Sequence, residues 1–564
     1  MRTPHAPHLV FGPVLCGVLA TAAPAQIQDS LAARLPRATV AVLELEDGAA
    51  WARRLIALLE TMPDPPQRLL GLRTLLPTLV RAATGGVALD DALTALAPKR
   101  VVLALVSNGA LPEPLLIAET EDASGARTLR SALLGRLGAR AFVDDGDGRL
   151  IVAADLATLE LARRAYDGVE PRLALESFCT HAPRSAASLL VHVDLAAVRA
   201  KDLDRRSYGE RLDPGARLLF GPLAAALDRA RAVHVELRVL PRGAELAMTI
   251  DGSPLAEDPA QDDEAALLLA SPRRARTLPP APAGTLATLA LDRSLAAPFV
   301  HVRTLFGAAA EAQLLGGLSI ADALLRASFV DELLPCFVGS ATLFVVAQAQ
   351  GGNAVADDGA AAAGLRLPGF ALVLPLEDSA RAAELALRGL STFALAANVE
   401  RMRQEKLPYA MRVQRDDEGR PCIVFEPSEW HGAAPAPLDA TFQPTLLFGA
   451  TQLVVASTRE TALATMAARV DAADAATATV QGDLLTLDPA GLAEYLTLNR
   501  ELAVLDTVLK RGVPARQARR ELDELAQVLR NLRPFALRLE PVVGSTTLRT
   551  ELAWRETRGT EAGR

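Results

Sequence analysis

The sequence predicts an α+β protein made of two tandem similar modules, each a mainly antiparallel sheet covered by helices. Three observations carry that expectation. Strand-like segments alternate: Val233, Val235, Leu237 and Val239 face one way, and His234, Glu236 and Arg238 the other. That is the period of a sheet with one buried face and one wet or partly covered face. Helix-like segments carry start signals, with Asp488 before Pro489 and Ser457 with Glu460 as a capping box. Leu522, Leu525, Ala526, Leu529 and Leu532 fall at helical spacing. The strand-like segments then recur in one order, as an internal repeat would.

Residues 1–25 read as a secretory signal peptide: Arg2, an apolar stretch from Leu9 to Ala20, and Ala23-Pro24-Ala25 as the cleavage site. Leu15 stands before Cys16 where a lipoprotein signal wants a small residue, so lipidation is not expected. The protein is expected in the periplasm or outside the cell after cleavage near Ala25. Residues 35–252 form the first module, 253–283 a linker rich in Pro, Asp and Ala, 284–554 the second module, and 555–564 a flexible tail.

The repeat pairs Thr39–Glu46 with Thr285–Asp292, Val101–Val106 with Ala341–Val346, and Leu115–Asp122 with Ala371–Asp378. It goes on to pair Leu150–Thr158 with Leu453–Thr461 and Asp194 with Asp488. Each half closes with an amphipathic helix and a hairpin, turning at Gly243 in one and Gly544 in the other. The offset jumps from 256 at Asp122 to 303 at Leu150, so the second half carries an insertion. It holds a hairpin, YAMRVQRDDEGRPCIVFE, within about 400–440, and a loop with Trp430 and His431. The stretch QGGNAVADDGAAAAG is expected to be a surface loop.

Bulk composition excludes several classes. The 564 residues exceed one ordinary core, and 50% hydrophobic with 22% charged residues suits globular folds. The net charge is −8 with no run of five like charges, so nucleic acid is not an expected partner. Charges at Asp228, Arg229 and Arg231 interrupt the one long apolar stretch, so no membrane span is expected. Cys179, Cys336 and Cys422 remain after cleavage, in no zinc-binding spacing. Export permits a disulfide, Cys336–Cys422 being the candidate, but buried unpaired places are the preferred reading.

Pro36 to Glu46 follow the pattern P-x-x-T-x-x-x-x-x-x-D, with Glu in place of Asp, and Leu150–Asp155 and Leu453–Ser457 end strands before helices. On these elements the chain resembles a family of exported bacterial proteins of unknown function with paired modules. The resemblance covers most of the mature chain through short, apolar motifs. It implies the fold, but no activity and no catalytic residues.

Motif chemistry is thin. There is no Gly-x-Ser-x-Gly, His-Glu-x-x-His or phosphate-binding Gly-rich loop. Asp144–Gly148 lacks the downstream glutamate of a calcium loop and reads as a hairpin turn. His192, Asp194, His234 and Glu236 would share one sheet face and are the candidate metal ligands. Thr486 and Ala536, at the matching places of the repeat, speak instead for ordinary polar residues. Cys179 with His181, and the acid pairs Asp144–Asp145 and Asp416–Asp417, are set aside as a nucleophile pair and as glycosidase-like carboxylates, the acids as too exposed.

The expected function is therefore non-catalytic: binding or scaffolding in the cell envelope, without a cofactor, toward an unknown envelope protein or ligand. Trp430 and His431 are the candidate recognition surface. An exported hydrolase or metal-dependent enzyme on the His192/His234 face is the alternative, and lipid handling between apolar sheet faces another.

Overall fold

The computed structural model describes residues 31–555 apart from 46, 62–98, 108–111, 121–122, 124–125, 128–129, 131–141, 147, 170–187, 201–213, 252–275, 293–294, 296–298, 300–301, 349–366, 405–407, 428–441, 469–478, 481 and 543–544. The expected signal peptide, Cys179, His181, Trp430, His431 and the loop at 350–364 lie mostly or wholly outside the described residues.

The first half begins with β1 (Thr39–Leu45), α1 (Gly48–Thr61), β2 (Arg100–Val106) and β3 (Glu113–Glu119). The hairpin β4 (Phe142–Gly146) and β5 (Arg149–Ala153) follows, then α2 (Leu156–Tyr166), β6 (Ser188–Asp194), α3 (Leu195–Ala200) and α4 (Pro214–Arg229). It closes on the hairpin β7 (Ala232–Leu240) and β8 (Gly243–Asp251).

The second half runs β9 (Arg276–Thr277), β10 (Thr285–Leu291), α5 (Val302–Leu325), β11 (Ala341–Val346), β12 (Gly369–Pro375) and α6 (Ser379–Arg403). It continues through β13 (Tyr409–Arg415), β14 (Pro421–Pro427), β15 (Thr445–Phe448), β16 (Gln452–Ala456), α7 (Arg459–Ala467) and β17 (Thr479–Val480). Then come β18 (Asp483–Leu487), α8 (Pro489–Leu498), α9 (Arg500–Arg511), α10 (Ala515–Asn531) and the hairpin β19 (Phe535–Val542) and β20 (Ser545–Ala553).

Eighteen of these strands form one antiparallel sheet. In the first half hydrogen bonding runs β4-β5-β3-β2-β1-β6-β7-β8. In the second it runs β15-β16-β12-β11-β10-β18-β19-β20. Strand β8 pairs with β20 along nine residues and joins the two runs. The hairpin β13–β14 adds two strands beyond β15. Arg276 and Thr277, within the expected linker, pair with β17.

Apolar alternation builds cores on both sheet faces. On one face Val42, Ala104, Leu115 and Ala153 stand side by side across four strands and pack against Leu159 and Ala162 of α2. Phe344, Ala371 and Ala456 make the corresponding row under Ala462 and Met466 of α7. On the other face Val235, Met248, Leu548 and Leu539 form a row that crosses the β8–β20 joint. Leu223 and Leu227 of α4 cover it. Each fully buried side chain of this size stabilises the fold by about 1.5–3 kcal/mol.

Some local expectations are corrected. Thr458, not Ser457, caps α7, accepting from the Thr461 N–H at 3.1 Å. The Ser457 hydroxyl instead accepts from Phe370 N at 3.1 Å, tying α7 to the neighbouring strand. Helix α10 ends at Asn531, so Leu532 is extended and outside it. Asp416 is not an exposed turn acid: it is buried, accepts from the backbone N–H groups of Glu418 and Arg420, and pairs with the Arg420 side chain. Gly419, at φ 78°, takes the left-handed place in that turn. Cys336 and Cys422 are buried and unpaired. Among the described residues no single helix is long and apolar enough to cross a membrane.

Candidate functional site

The polar side of β6 and β7 gathers the titratable side chains singled out in the sequence. The antiparallel register sets His192 directly opposite His234, Leu190 opposite Glu236, and Ser188 opposite Arg238. Direct opposition brings side chains into contact, and the two imidazoles meet with Nδ1 to Nδ1 at 3.1 Å. His234 Nε2 lies 2.8 Å from Asp251 Oδ2 on β8. An ionised carboxylate only accepts, so Nε2 of His234 carries a hydrogen. One of the two Nδ1 atoms donates and the other accepts, and the tautomers set which.

Both histidines are only 3% exposed. The face expected to be wet or partly covered is therefore closed where they sit. The reason is three-dimensional: alternation says which residues share a face, not what packs over it.

The four candidate metal ligands do not converge. Asp194 turns to the start of α3, where its carboxylate accepts from Ala197 N at 2.8 Å. Glu236 accepts from the Ser188 hydroxyl at 2.7 Å. Arg238, one row further, donates to Glu245 on β8 at 3.0 Å. Among the described residues no three His, Cys, Asp or Glu side chains form a metal-holding group. Asp251, which the sequence reading missed, is the acid that engages the histidine pair. Its signal was its place two residues beyond Thr249, the partner of His234 across the β7–β8 hairpin.

This arrangement can orient imidazoles, fix their tautomers and satisfy buried polar groups between three strands. A separate cleft of about 180 Å³ lies in the second half, lined by Gly284, Leu286, Asp488, Glu494 and Tyr495. Asp488 already caps α8 there, accepting from Ala490 N, and Arg555 stands 3.5 Å from its carboxylate. None of the histidine-cluster residues lines that cleft.

Neither a protein-family model nor a curated protein matches the chain. A solved structure of TP0453, in crystal form III, is similar to 44% of this chain and 88% of its own, at 8% identity and a TM-score of 0.24. A likeness of that size supports no statement about fold family or activity.

Proposed function

We propose that this chain is an exported protein built from two copies of one α+β module, residues 35–252 and 284–554, and that it binds or scaffolds a component of the cell envelope rather than catalysing a reaction. The observation that carries the duplication is the pairing order. Replacing each strand from β5 to β8 of the first run by its sequence counterpart turns that run into the second, step for step, and β4 and β15 take the same place at its end.

Local details support it. Thr39 Oγ1 donates to Pro36 O at 2.7 Å, and Thr285 Oγ1 to Pro282 O at 2.6 Å. The pairing of β1 with β2 shifts register between Thr39 and Ala41, and that of β10 with β11 between Thr285 and Ala287. At the joint Ala247 pairs with Arg549, the residue 302 places later and its counterpart in β20. Counterparts meeting head-on are what a two-fold relation between copies produces.

The non-catalytic part of the reading rests on how the polar groups are spent. His192, His234 and Asp251 have Thr486, Ala536 and Ala553 at the corresponding places, so the cluster belongs to one copy. Its members bond one another between strands, with both imidazoles buried. The runner-up is a metal-dependent enzyme, favoured by two imidazole nitrogens 3.1 Å apart, a separation two ligands of one ion can also have.

Metal analysis of the purified mature protein separates the two. The binding reading expects no stoichiometric transition metal. One zinc per chain, lost in His192→Ala and His234→Ala, would replace it with the enzyme.

A further inference from the structure

The buried histidine pair can hold only so many protons. His192 and His234 face each other from β6 and β7 with their Nδ1 atoms 3.1 Å apart, and both rings are buried. A neutral imidazole carries one N–H group and a protonated one carries two. A single hydrogen between the facing Nδ1 atoms makes the contact. Adding one proton to the pair keeps that arrangement, because the new hydrogen goes to an Nε2 atom. Protonating both rings puts a hydrogen on each Nδ1 and points two N–H groups at one another. The contact then has no acceptor and must open.

The neighbours supply a counter-charge for the first added proton. Asp251 of β8 lies 2.8 Å from His234 Nε2, so one imidazolium has a carboxylate beside it. The strand neighbours in the same row are Val42 of β1 and Thr249 of β8. Three nearby acids are engaged elsewhere: Glu44 of β1 accepts from Leu31 N and Ala32 N, Asp194 of β6 from Ala197 N, and Glu236 of β7 from the Ser188 hydroxyl. On β20, Thr547 stands beyond Thr249, and Arg549 beyond Ala247 adds positive charge to the same face. Helices α1 and α3 both touch β7. Arg53 and Arg54 of α1 are exposed, and Arg199 of α3 donates to the Leu227 and Ala230 carbonyls.

We propose that the His192–His234 pair is an acid-operated latch between β6 and β7. At neutral pH the pair ties the two strands together. Acid opens it and loosens the strands next to β8, the strand that meets the second half of the sheet. The sign follows from the proton count. In the unfolded chain each ring takes a proton near pH about 6.5, whereas the folded pair takes one while its contact stands. The state that binds more protons gains as pH falls, so the closed latch is favoured above that pH and loses ground below it. The second half has no such device at the matching pairing, where β18 and β19 set Thr486 opposite Ala536. The latch goes beyond the binding reading and depends on no ligand.

The test is amide hydrogen exchange of the full chain, read by mass spectrometry between about pH 7.5 and about pH 5, either side of the unfolded histidine value, and corrected for the intrinsic rate. Protection of β6 and β7 should fall relative to β18 and β19, by up to about tenfold for each pH unit below the unfolded histidine value. His192→Asn should abolish this difference, because a side-chain amide offers His234 a donor and an acceptor and takes up no proton. Should that variant misfold, the comparison of the two strand pairs within the wild type decides the matter alone. Equal loss of protection in both pairs overturns the proposal, since acid would then act on the whole sheet. So does unchanged protection of β6 and β7 at the lower pH. A folded His192→Asn protein that loosens as the wild type does also overturns it, because the responsible group would lie outside the pair.

Discussion

Gly243 lies against the backbone of Leu552: a Cβ built on Gly243 would stand 2.2 Å from the Leu552 carbonyl oxygen and 2.8 Å from the Ala553 Cα. These residues are at one end of the β8–β20 pairing, where the two halves of the sheet are joined. Backbone on both sides of the contact leaves little room to yield, so glycine is required there by close approach.

Gly243→Ala should therefore destabilise the fold, by about 1–3 kcal/mol as overpacking does. Gly316→Ala, inside α5 with nothing within 4 Å of the added carbon, should stabilise by about 0.5–1 kcal/mol. Urea titrations of the two variants should move the midpoint in opposite directions. A shift of the same sign in both would show that the joint is not tight.

The histidine pair should behave as one unit. His192→Ala or His234→Ala removes the contact between two buried imidazoles, costing about 1–3 kcal/mol each. Replacing both by leucine should cost less than the sum of the single changes, with a coupling of about 0.5–3 kcal/mol. Strict additivity in chemical denaturation would mean that the 3.1 Å contact contributes nothing.

Asp416 supplies a pH test. Burial alone would raise its carboxyl, but the Arg420 side chain and backbone N–H groups outweigh burial and hold it below the ordinary carboxylate value. Because the folded value is the lower one, this stabilisation is complete above the unfolded value of about 4 and is lost as pH falls through the folded value. Asp416→Asn should cost about 1.5–3 kcal/mol at neutral pH, and the gap to wild type should close in acid. Melting curves recorded from neutral to acid pH would reveal this; a gap independent of pH would assign the effect to shape rather than charge.

The paired threonines test the duplication energetically. Thr39→Val and Thr285→Val each delete one hydroxyl bond to a carbonyl three residues earlier. Each should cost about 1 kcal/mol, and the double variant should lose the sum, because seven strand pairings separate β1 from β10 in the sheet. Unequal losses, one near zero, would mean that the two positions are not equivalent.

Much of this architecture was legible in the residues. Alternation along Ala232–Leu240 set which side chains share a face, since a strand leaves its side chains only two sides. Asp488 before Pro489 marked the start of α8, because capping and proline geometry are local. The hairpin around Asp416–Gly419 was visible for the same reason, and its closure by Arg420 was not, because nothing in a turn sequence tells an exposed acid from one tied to a neighbouring guanidinium.

What the chain determined by itself is therefore the periodic and local part: strands, helix starts and turns. Tertiary structure alone decided the rest. It set β8 beside β20, buried His192 and His234 on a face that alternation marked as polar, supplied Asp251 as their acid, and turned the leucines of α9 outward. The physical reason is common to all four. Hydrogen-bonding edges and apolar stripes accept any complementary surface, and only packing among distant segments selects which one they meet.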